Sequence, residues 1–366
     1  MSLERGLLFV TDTQIPSSRA SAIHIKNLLP ALKQRGFNVQ LLSNAGKTES
    51  WPEFARKIDH TVIHLPTIKG GLFWMLCLFS SKLKKLKFDV IYSRFVLLPL
   101  IARKRPYVLE LHDDAWNKGF LFRYALRKAQ EQKNCLGFVV ITRAIKSDLK
   151  EAYPGISKRI EVIEDAAASP NENYKPKFLD KRSLDIAYVG SFHKGKGVEV
   201  VLEVAEKLPE HNFIIVGGGT EDLSEYEKGS LKNVHFKGYV EHDQIWELMD
   251  GIDICMLPNQ PNVRTGKKSD IGKYTSPLKM FEYMSFSKPT IASDLPVLKE
   301  VLDNQIAIFA KHDSVDSWIS AISELSLVDR RSEIGKSAFE RFKNNYTWEK
   351  RAERILTFIN EELNTI

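Results

Sequence analysis

Tyr274-Thr-Ser-Pro-Leu-Lys-Met-Phe-Glu-Tyr-Met-Ser-Phe-Ser-Lys-Pro-Thr290 holds a helix start, a helix and the entry to a strand in one short run. Ser276 and Pro277 read as an N-cap and first-turn pair, because a hydroxyl accepts an orphan N–H and proline lacks a donor that would go unpaired. From Leu278 onward the helix is apolar apart from Lys279 and Glu282, which are three residues apart and share a face. A largely apolar helix is a buried one, and a buried carboxylate needs a partner. For Glu282 that partner is either Lys279 or a ligand hydroxyl such as a ribose. The leading N–H groups, at Leu278 and Lys279, favour a phosphate through the positive end of the helix dipole, and Lys279 adds a full charge.

Working outward, Thr290–292 belongs to a series of short strand patterns at 186–190, 213–217, 234–237, 254–257 and 306–309, with helical segments between them. A second series precedes it at 7–11, 39–43, 62–65, 90–93, 108–112, 138–142 and 162–163. Each run is continuous rather than alternating, as expected of parallel strands covered by helices on both faces. The polar stretch Ser169-Pro-Asn-Glu-Asn-Tyr-Lys-Pro-Lys separates the two series and reads as a linker. The fold expected is α/β: two Rossmann-like doubly wound domains, 1–170 and 171–345, facing across a cleft that forms the usual ligand site of such sheets. Residues 346–366 carry the apolar stripe Ala352, Ile355, Leu356, Ile359 and are expected to cross back as a helix onto the first domain.

The 366 residues are enough for two domains with proper cores, and they carry a net charge of +7. That charge is unevenly distributed: residues 1–170 hold 27 Lys+Arg against 15 Asp+Glu, and the remainder 26 against 31. The base excess of the first half points to an anionic partner there. The three cysteines, Cys77, Cys135 and Cys255, lie far apart in apolar surroundings, which suits a reducing compartment and neither a disulfide framework nor close metal-ligand spacing. The first residues lack the pattern of a secretory leader, and the longest apolar stretch, 72–79, is far shorter than a membrane span. The cytoplasm is therefore the expected location, with peripheral attachment to the inner face of the plasma membrane as an option.

Three loops carry candidate chemistry. Tyr188-Val-Gly-Ser-Phe-His-Lys-Gly-Lys-Gly-Val198 runs from a strand through two flexible glycines and several bases into a helix, so that backbone N–H groups can approach a phosphate while a lysine neutralises it. By itself such a loop is equally an ordinary turn, as is Val216-Gly217-Gly-Gly. Thr11-Asp-Thr-Gln-Ile-Pro-Ser17-Ser18-Arg-Ala-Ser-Ala-Ile-His24 places small residues before a helix, which suits close approach to a ligand and equally suits helix capping.

In combination these segments, over nearly the whole chain, resemble the retaining GT-B-fold glycosyltransferases, the large group that includes sucrose synthase-like and bacterial polysaccharide enzymes (glycosyl transferases group 1). Val189-Gly190-Ser191-Phe-His-Lys194-Gly-Lys196-Gly is similar to that family's phosphate loop, and Asn233-Val-His-Phe-Lys-Gly-Tyr239-Val240 to the segment flanking the nucleobase. The run from Ser276 through Pro296 is similar to its signature helix and strand. The resemblance implies that Lys196 holds the donor diphosphate, with Gly190, Ser191, Lys194, Gly217, Ser276, Leu278 and Lys279 around it. It further implies that Glu282 receives the ribose hydroxyls, that Tyr239 and Val240 border the base, and that His112, in Leu109-Glu-Leu-His-Asp, faces the donor sugar. Ser17, Ser18 and His24 would lie at donor or acceptor.

Two positions depart from the family pattern. Tyr274 stands where the first Glu of an E-x7-E pair is common, and Ser191 stands where an Arg is common. The implied reaction moves a sugar from a nucleotide sugar to a glycan or lipid-linked acceptor hydroxyl with retention, in cell-surface polysaccharide or glycoconjugate synthesis. The nucleotide sugar is a co-substrate, no cofactor is expected, and lysine with helix N–H dipoles would stabilise the leaving diphosphate without a metal. The alternatives are a GT-B phosphorylase or nucleotide-sugar epimerase sharing the same phosphate site, and a basic binding protein. Nucleic acid is not expected, since the bases are dispersed and no reader motif is present. Residues 72–87 join an aromatic apolar run to Lys82, Lys84, Lys85 and Lys87, which reads either as a helix resting on an anionic membrane or as a core helix with a solvated end.

Overall fold

The computed structural model describes residues 5–17, 19–45, 52–64, 71–170, 174–218, 231–240, 244–265 and 269–365. They form two compact units, Met1–Glu164 with Trp348–Ile366, and Asp165–Thr347. The divisions fall at 164/165 and 347/348 rather than at 170/171 and 345/346, because Ala167, just before the expected linker, is bridged to Thr347 and its N–H donates to the Tyr346 carbonyl at 3.1 Å, which ties this stretch into the second unit.

In the first unit β1 (Arg5–Ile15), α1 (Ala20–Gln34), β2 (Phe37–Ala45), α2 (Pro52–Lys57), β3 (Asp59–Ile63), α3 (Gly71–Leu83), β4 (Val90–Ser93), β5 (Tyr107–Leu111), α4 (Phe120–Glu131), β6 (Cys135–Val140), α5 (Arg143–Ala152) and β7 (Ile160–Val162) alternate along the chain. The strands form a parallel seven-stranded sheet in the order β3-β2-β1-β4-β5-β6-β7. Leu7 to Val10, Val90 to Tyr92 and Tyr107 to Leu109 are essentially inaccessible, so the middle of the sheet is covered on both faces, as continuous apolar runs require.

In the second unit β8 (Asp185–Val189), α6 (Val198–Lys207), β9 (Asn212–Val216), β10 (Val234–Gly238), α7 (Ile245–Asp250), β11 (Ile254–Leu257), a short antiparallel pair β12 (Arg264–Thr265) and β13 (Ser269–Asp270), α8 (Leu278–Ser285), β14 (Thr290–Ser293), β15 (Ile308–Ala310), α9 (Val315–Glu324) and α10 (Val328–Asn345) follow. Six strands lie parallel in the order β10-β9-β8-β11-β14-β15. In each sheet the strand order reverses beside the first strand, between β1 and β4 and between β8 and β11. Ligands of open α/β sheets bind at the carboxyl ends of the strands at this switch point.

The last helix, α11 (Trp348–Leu363), belongs to the first unit. Its buried stripe is Ala352, Ile355, Phe358 and Ile359, with Phe358 in the place expected for Leu356. The reason lies in β6: Gly137, at φ +151°, has no side chain, and a Cβ there would stand 2.9 Å from the Phe358 ring. Arg5 donates to Asn360 at 2.5 Å, and Arg35 faces Glu353 at 3.4 Å, completing the helix's attachment. No helix of the described residues is long and apolar enough to cross a membrane.

Candidate functional site

The second unit gathers its candidate residues where β8 and β11 end. α8 is tied to β8 by the Val189 N–H, which donates to the Tyr283 hydroxyl at 2.9 Å, and Lys288, just after α8, donates to the Ile252 carbonyl before β11 at 2.8 Å. This fixes the first turn of α8 beside Gly190. Gly190 takes φ +150°, and a Cβ on it would stand 3.3 Å from the Lys279 ammonium. Gly217, at φ +115°, lies against the Gly190 carbonyl so closely that a Cβ would come within 2.0 Å of it. Gly190 thus leaves room for the Lys279 side chain, and Gly217 lets the ends of β8 and β9 approach closely.

Lys279 is buried, with its ammonium 3.8 Å above the Tyr188 ring and no hydrogen-bond partner among the described residues. Burial, and after it the charge of Lys196, hold its ammonium well below the ordinary lysine value, while Glu282 acts in the opposite sense. Lys196 is half-buried, and desolvation pulls it down to about 8. The loop that carries it is held in place from β11: the Gln260 N–H donates to the Gly195 carbonyl at 2.9 Å, and Gly197, in the left-handed region, abuts the Pro258 carbonyl. The structure thus couples Lys196 with Lys279 and Glu282. Lys194 and Ser191 are exposed on the outer turn of the same loop, with the Ser191 carbonyl accepting from the Tyr188 hydroxyl at 2.7 Å. Tyr239 is 59% exposed just beyond β10, and Val240 packs against the core cluster that includes Val189 and Val216.

Ser276 is not the N-cap. Pro277 takes that position with ψ 123°, an extended value, so the helix begins at Leu278 and Ser276 is one residue too far upstream for its hydroxyl to reach the first turn. Its Oγ is buried without a hydrogen-bond partner among the described residues. Asn259, immediately after β11, was given no role from sequence. Both of its amide atoms are buried and have no hydrogen-bond partner among the described residues.

The first unit builds a charged cluster behind His112. Glu110 lies fully buried in β5 and accepts from the Tyr92 hydroxyl and from His112 Nε2. Arg351 of α11 stands 3.1 Å from the same carboxylate, His24 3.5 Å and Arg94 3.9 Å. Burial alone would raise this carboxyl, but Arg351, His112 and His24 hold it well below the usual carboxylate range. His24 is 2% exposed on α1, packed edge-on against His112 and Trp348, and so belongs to this cluster rather than to the loop surface. Ser17 is half-buried and accepts from the Arg19 N–H at 3.2 Å, forming a turn before α1; Ser18 lies outside the described residues. Beyond that turn an open hollow of about 550 Å³ is lined by Asp12, Thr13, Gln14, Arg19, Ser21 and Asn44.

Metal-ligand spacing was not visible along the chain, yet the fold brings His24, Glu110 and His112 within 4.8 Å of one another. Both Glu110 oxygens are already engaged by Tyr92, His112 and Arg351, and two guanidinium groups adjoin them, an environment that opposes a further cation. Sequence reasoning missed Glu110, Arg94 and Arg351. Two of them had a signal: Glu110 interrupts a strand buried on both faces, and Arg351 lies four residues before Ile355, on the buried stripe of α11.

Residues 21–166 match the family model described as Glycosyltransferase Family 4, and residues 183–327 match that described as Glycosyl transferases group 1. An uncharacterised glycosyltransferase of Methanocaldococcus jannaschii is 23% identical over 354 residues, covering 85% of this chain and 83% of its own. Sucrose-phosphate synthase from Thermosynechococcus elongatus superposes with a TM-score of 0.73 at 14% identity, covering 99% of this chain and 100% of its own. Anabaena HepE in complex with UDP and glucose gives 0.71 at 14%, covering 97% and 99%. The chain is a glycosyltransferase of GT-B fold. The family 4 match lies on the first unit, ending at 166 just past Glu164, and the group 1 match lies within the second unit.

Proposed function

We propose that this glycosyltransferase transfers a sugar from a nucleoside-diphosphate sugar to a glycan or lipid-linked acceptor hydroxyl, with retention, in cytoplasmic synthesis of a cell-surface glycan. The carrying observation is the pair Lys196 and Lys279, two desolvated ammonium groups converging at the carboxyl end of β8 with two glycines in front of them. A diphosphate bound there would supply the counter-charge and hydrogen bonds that the Lys279 ammonium lacks. As the bond to the sugar breaks, negative charge grows on that diphosphate, and fixed cations in a dry site stabilise it without a metal. Glu282, one turn along α8, is within the same electrostatic cluster and suits ribose hydroxyls. Gly190, Gly217, Ser276 and Leu278 would admit the phosphates, and Tyr239 and Val240 would border the base. HepE holds UDP in the same fold, which supports a nucleotide ligand.

His112 is the group of the first unit assigned to the sugar. The basic first unit suits an anionic acceptor or membrane surface. Leu72 and Phe73 of α3 are exposed, as are Lys82, Lys84, Lys85 and Lys87 at its far end, a combination that suits an anionic bilayer.

A thermal-shift screen against UDP-, GDP-, ADP- and CMP-sugars tests the reading, because a ligand of the native state raises its melting temperature. One of them is expected to stabilise the protein, and Lys196→Ala and Glu282→Ala are each expected to remove that effect while leaving the fold intact. Unchanged donor affinity in both variants would remove the assignment. Sustained sugar-phosphate or epimer formation from donor and phosphate, with no acceptor, would favour the phosphorylase or epimerase alternative.

A further inference from the structure

Along a strand, residues i and i+2 leave the chain on the same side. Glu110 and His112 stand in that relation at the end of β5, and Glu110 Oε1 meets His112 Nε2. The other carboxylate oxygen takes the Tyr92 hydroxyl and faces Arg351 Nη2 at 3.1 Å. The charged or titratable groups facing Glu110 come from four directions: Tyr92 and Arg94 at β4, His24 on α1, His112 after β5, and Arg351 on α11. Arg351 is itself held in place by the Ile163 and Glu164 carbonyls, to which its Nη1 donates. Surrounded in this way, Glu110 remains an anion at neutral pH. An ionised carboxylate accepts and never donates, so the nitrogen facing it carries the proton, and in the neutral ring Nδ1 is left as the one acceptor.

We infer that Glu110, braced by Arg351 of the C-terminal helix, is a positioning residue that fixes the tautomer and ring direction of His112, so that Nδ1 is the nitrogen offered to the substrate. The inference rests on the proposed role of His112 in transfer. It adds that the helix α11 serves the reaction as well as the fold, because Arg351 and Trp348 close the rear of the histidine cluster.

The test is the ring ¹⁵N spectrum of His112 in the full chain, assigned through loss of its signals in His112→Asn and recorded across the titration range of histidine. The wild-type protein is expected to show the Nε2-protonated tautomer. Glu110→Gln, whose amide can donate as well as accept, is expected to mix or reverse the tautomers. It is also expected to lower kcat by about 100-fold, the scale of a 1 Å misplacement, with little change in KM for the nucleotide sugar. If the unpaired Arg351 unfolds that variant, Glu110→Gln with Arg351→Met removes both charges, and the same shifts decide the question. Identical His112 shifts with and without the Glu110 carboxylate overturn the inference, as does an altered tautomer with an unchanged kcat. Should the wild-type protein transfer no sugar, the proposed function fails, while the tautomer still answers for Glu110.

Discussion

The Lys279 ammonium stands 3.8 Å above the Tyr188 ring and donates no hydrogen bond among the described residues. A cation over a desolvated aromatic face gains about 2 kcal/mol, which leaves three N–H donors without acceptors. Such a group destabilises the ligand-free fold. Lys279→Met, of similar length and uncharged, is therefore expected to raise the melting temperature by the equivalent of about 1–3 kcal/mol. It is also expected to weaken UDP at least about tenfold, the scale of one charged hydrogen bond. Calorimetry with UDP and a thermal melt check both, and a lowered melting temperature would contradict the reading.

On the proposed reading, Lys196 gives donor binding a pH dependence. Desolvation brings its folded value down to about 8 from an ordinary 10.5, so the charge is present below about 8 and lost above. The affinity for UDP is expected to fall as pH rises through that point, and Lys196→Arg, which stays charged, is expected to remove that limb. The stability of the ligand-free protein moves the other way. Between about 8 and 10.5 the unfolded chain binds more protons at this residue than the folded one, so this lysine's contribution to stability rises with pH across the window. Comparing melts of the wild-type protein and Lys196→Ala over that range isolates the effect.

Gly217 and Gly190 both lie at positive φ and differ in what an added methyl group would meet. Gly217→Ala places a methyl group 2.0 Å from the Gly190 carbonyl at φ +115°, so both strand ends must shift. A loss of about 1–3 kcal/mol from strain alone is expected, together with loss of UDP binding. At Gly190 the nearest atom is the movable end of Lys279, at 3.3 Å. Gly190→Ala is expected to lose binding at a smaller cost in stability, as paired denaturant and calorimetric titrations will show.

Arg351→Met leaves the buried Glu110 without its main counter-charge, a change expected to cost about 3–5 kcal/mol. The Glu110 carboxyl is held well below its ordinary 4.5, so its contribution to stability is present above that value and is lost as pH falls toward the folded one. Without Arg351 the loss sets in at higher pH. The midpoint of acid unfolding, followed by circular dichroism, is expected to move upward.

How much of this was legible along the chain differs between the two units. The strand at Ile254–Leu257 and that at Val90–Ser93 coincide with their apolar runs to the residue, and the helix start at Val198 follows from the glycines before it. Lys196, Lys279 and Glu282 could be singled out as candidates because each lies in a short run, a loop or a helix, whose neighbours are adjacent in sequence. The Ser276 cap failed because ψ at Pro277 is extended, a choice that the identity of the two residues does not settle.

Hydrophobic periodicity, glycine placement and the alternation of strand with helix are properties of adjacent residues, and they sufficed to determine two doubly wound units. The cluster of His24, Tyr92, Arg94, Glu110, His112 and Arg351 draws on α1, β4, β5 and α11, hundreds of residues apart at its extremes. Its members meet because β4 lies between β1 and β5 and because Gly137 lets Phe358 settle α11 on β6. Which charge neutralises which was decided only by the tertiary structure, since Coulomb attraction and desolvation act on separations in space and not along the chain.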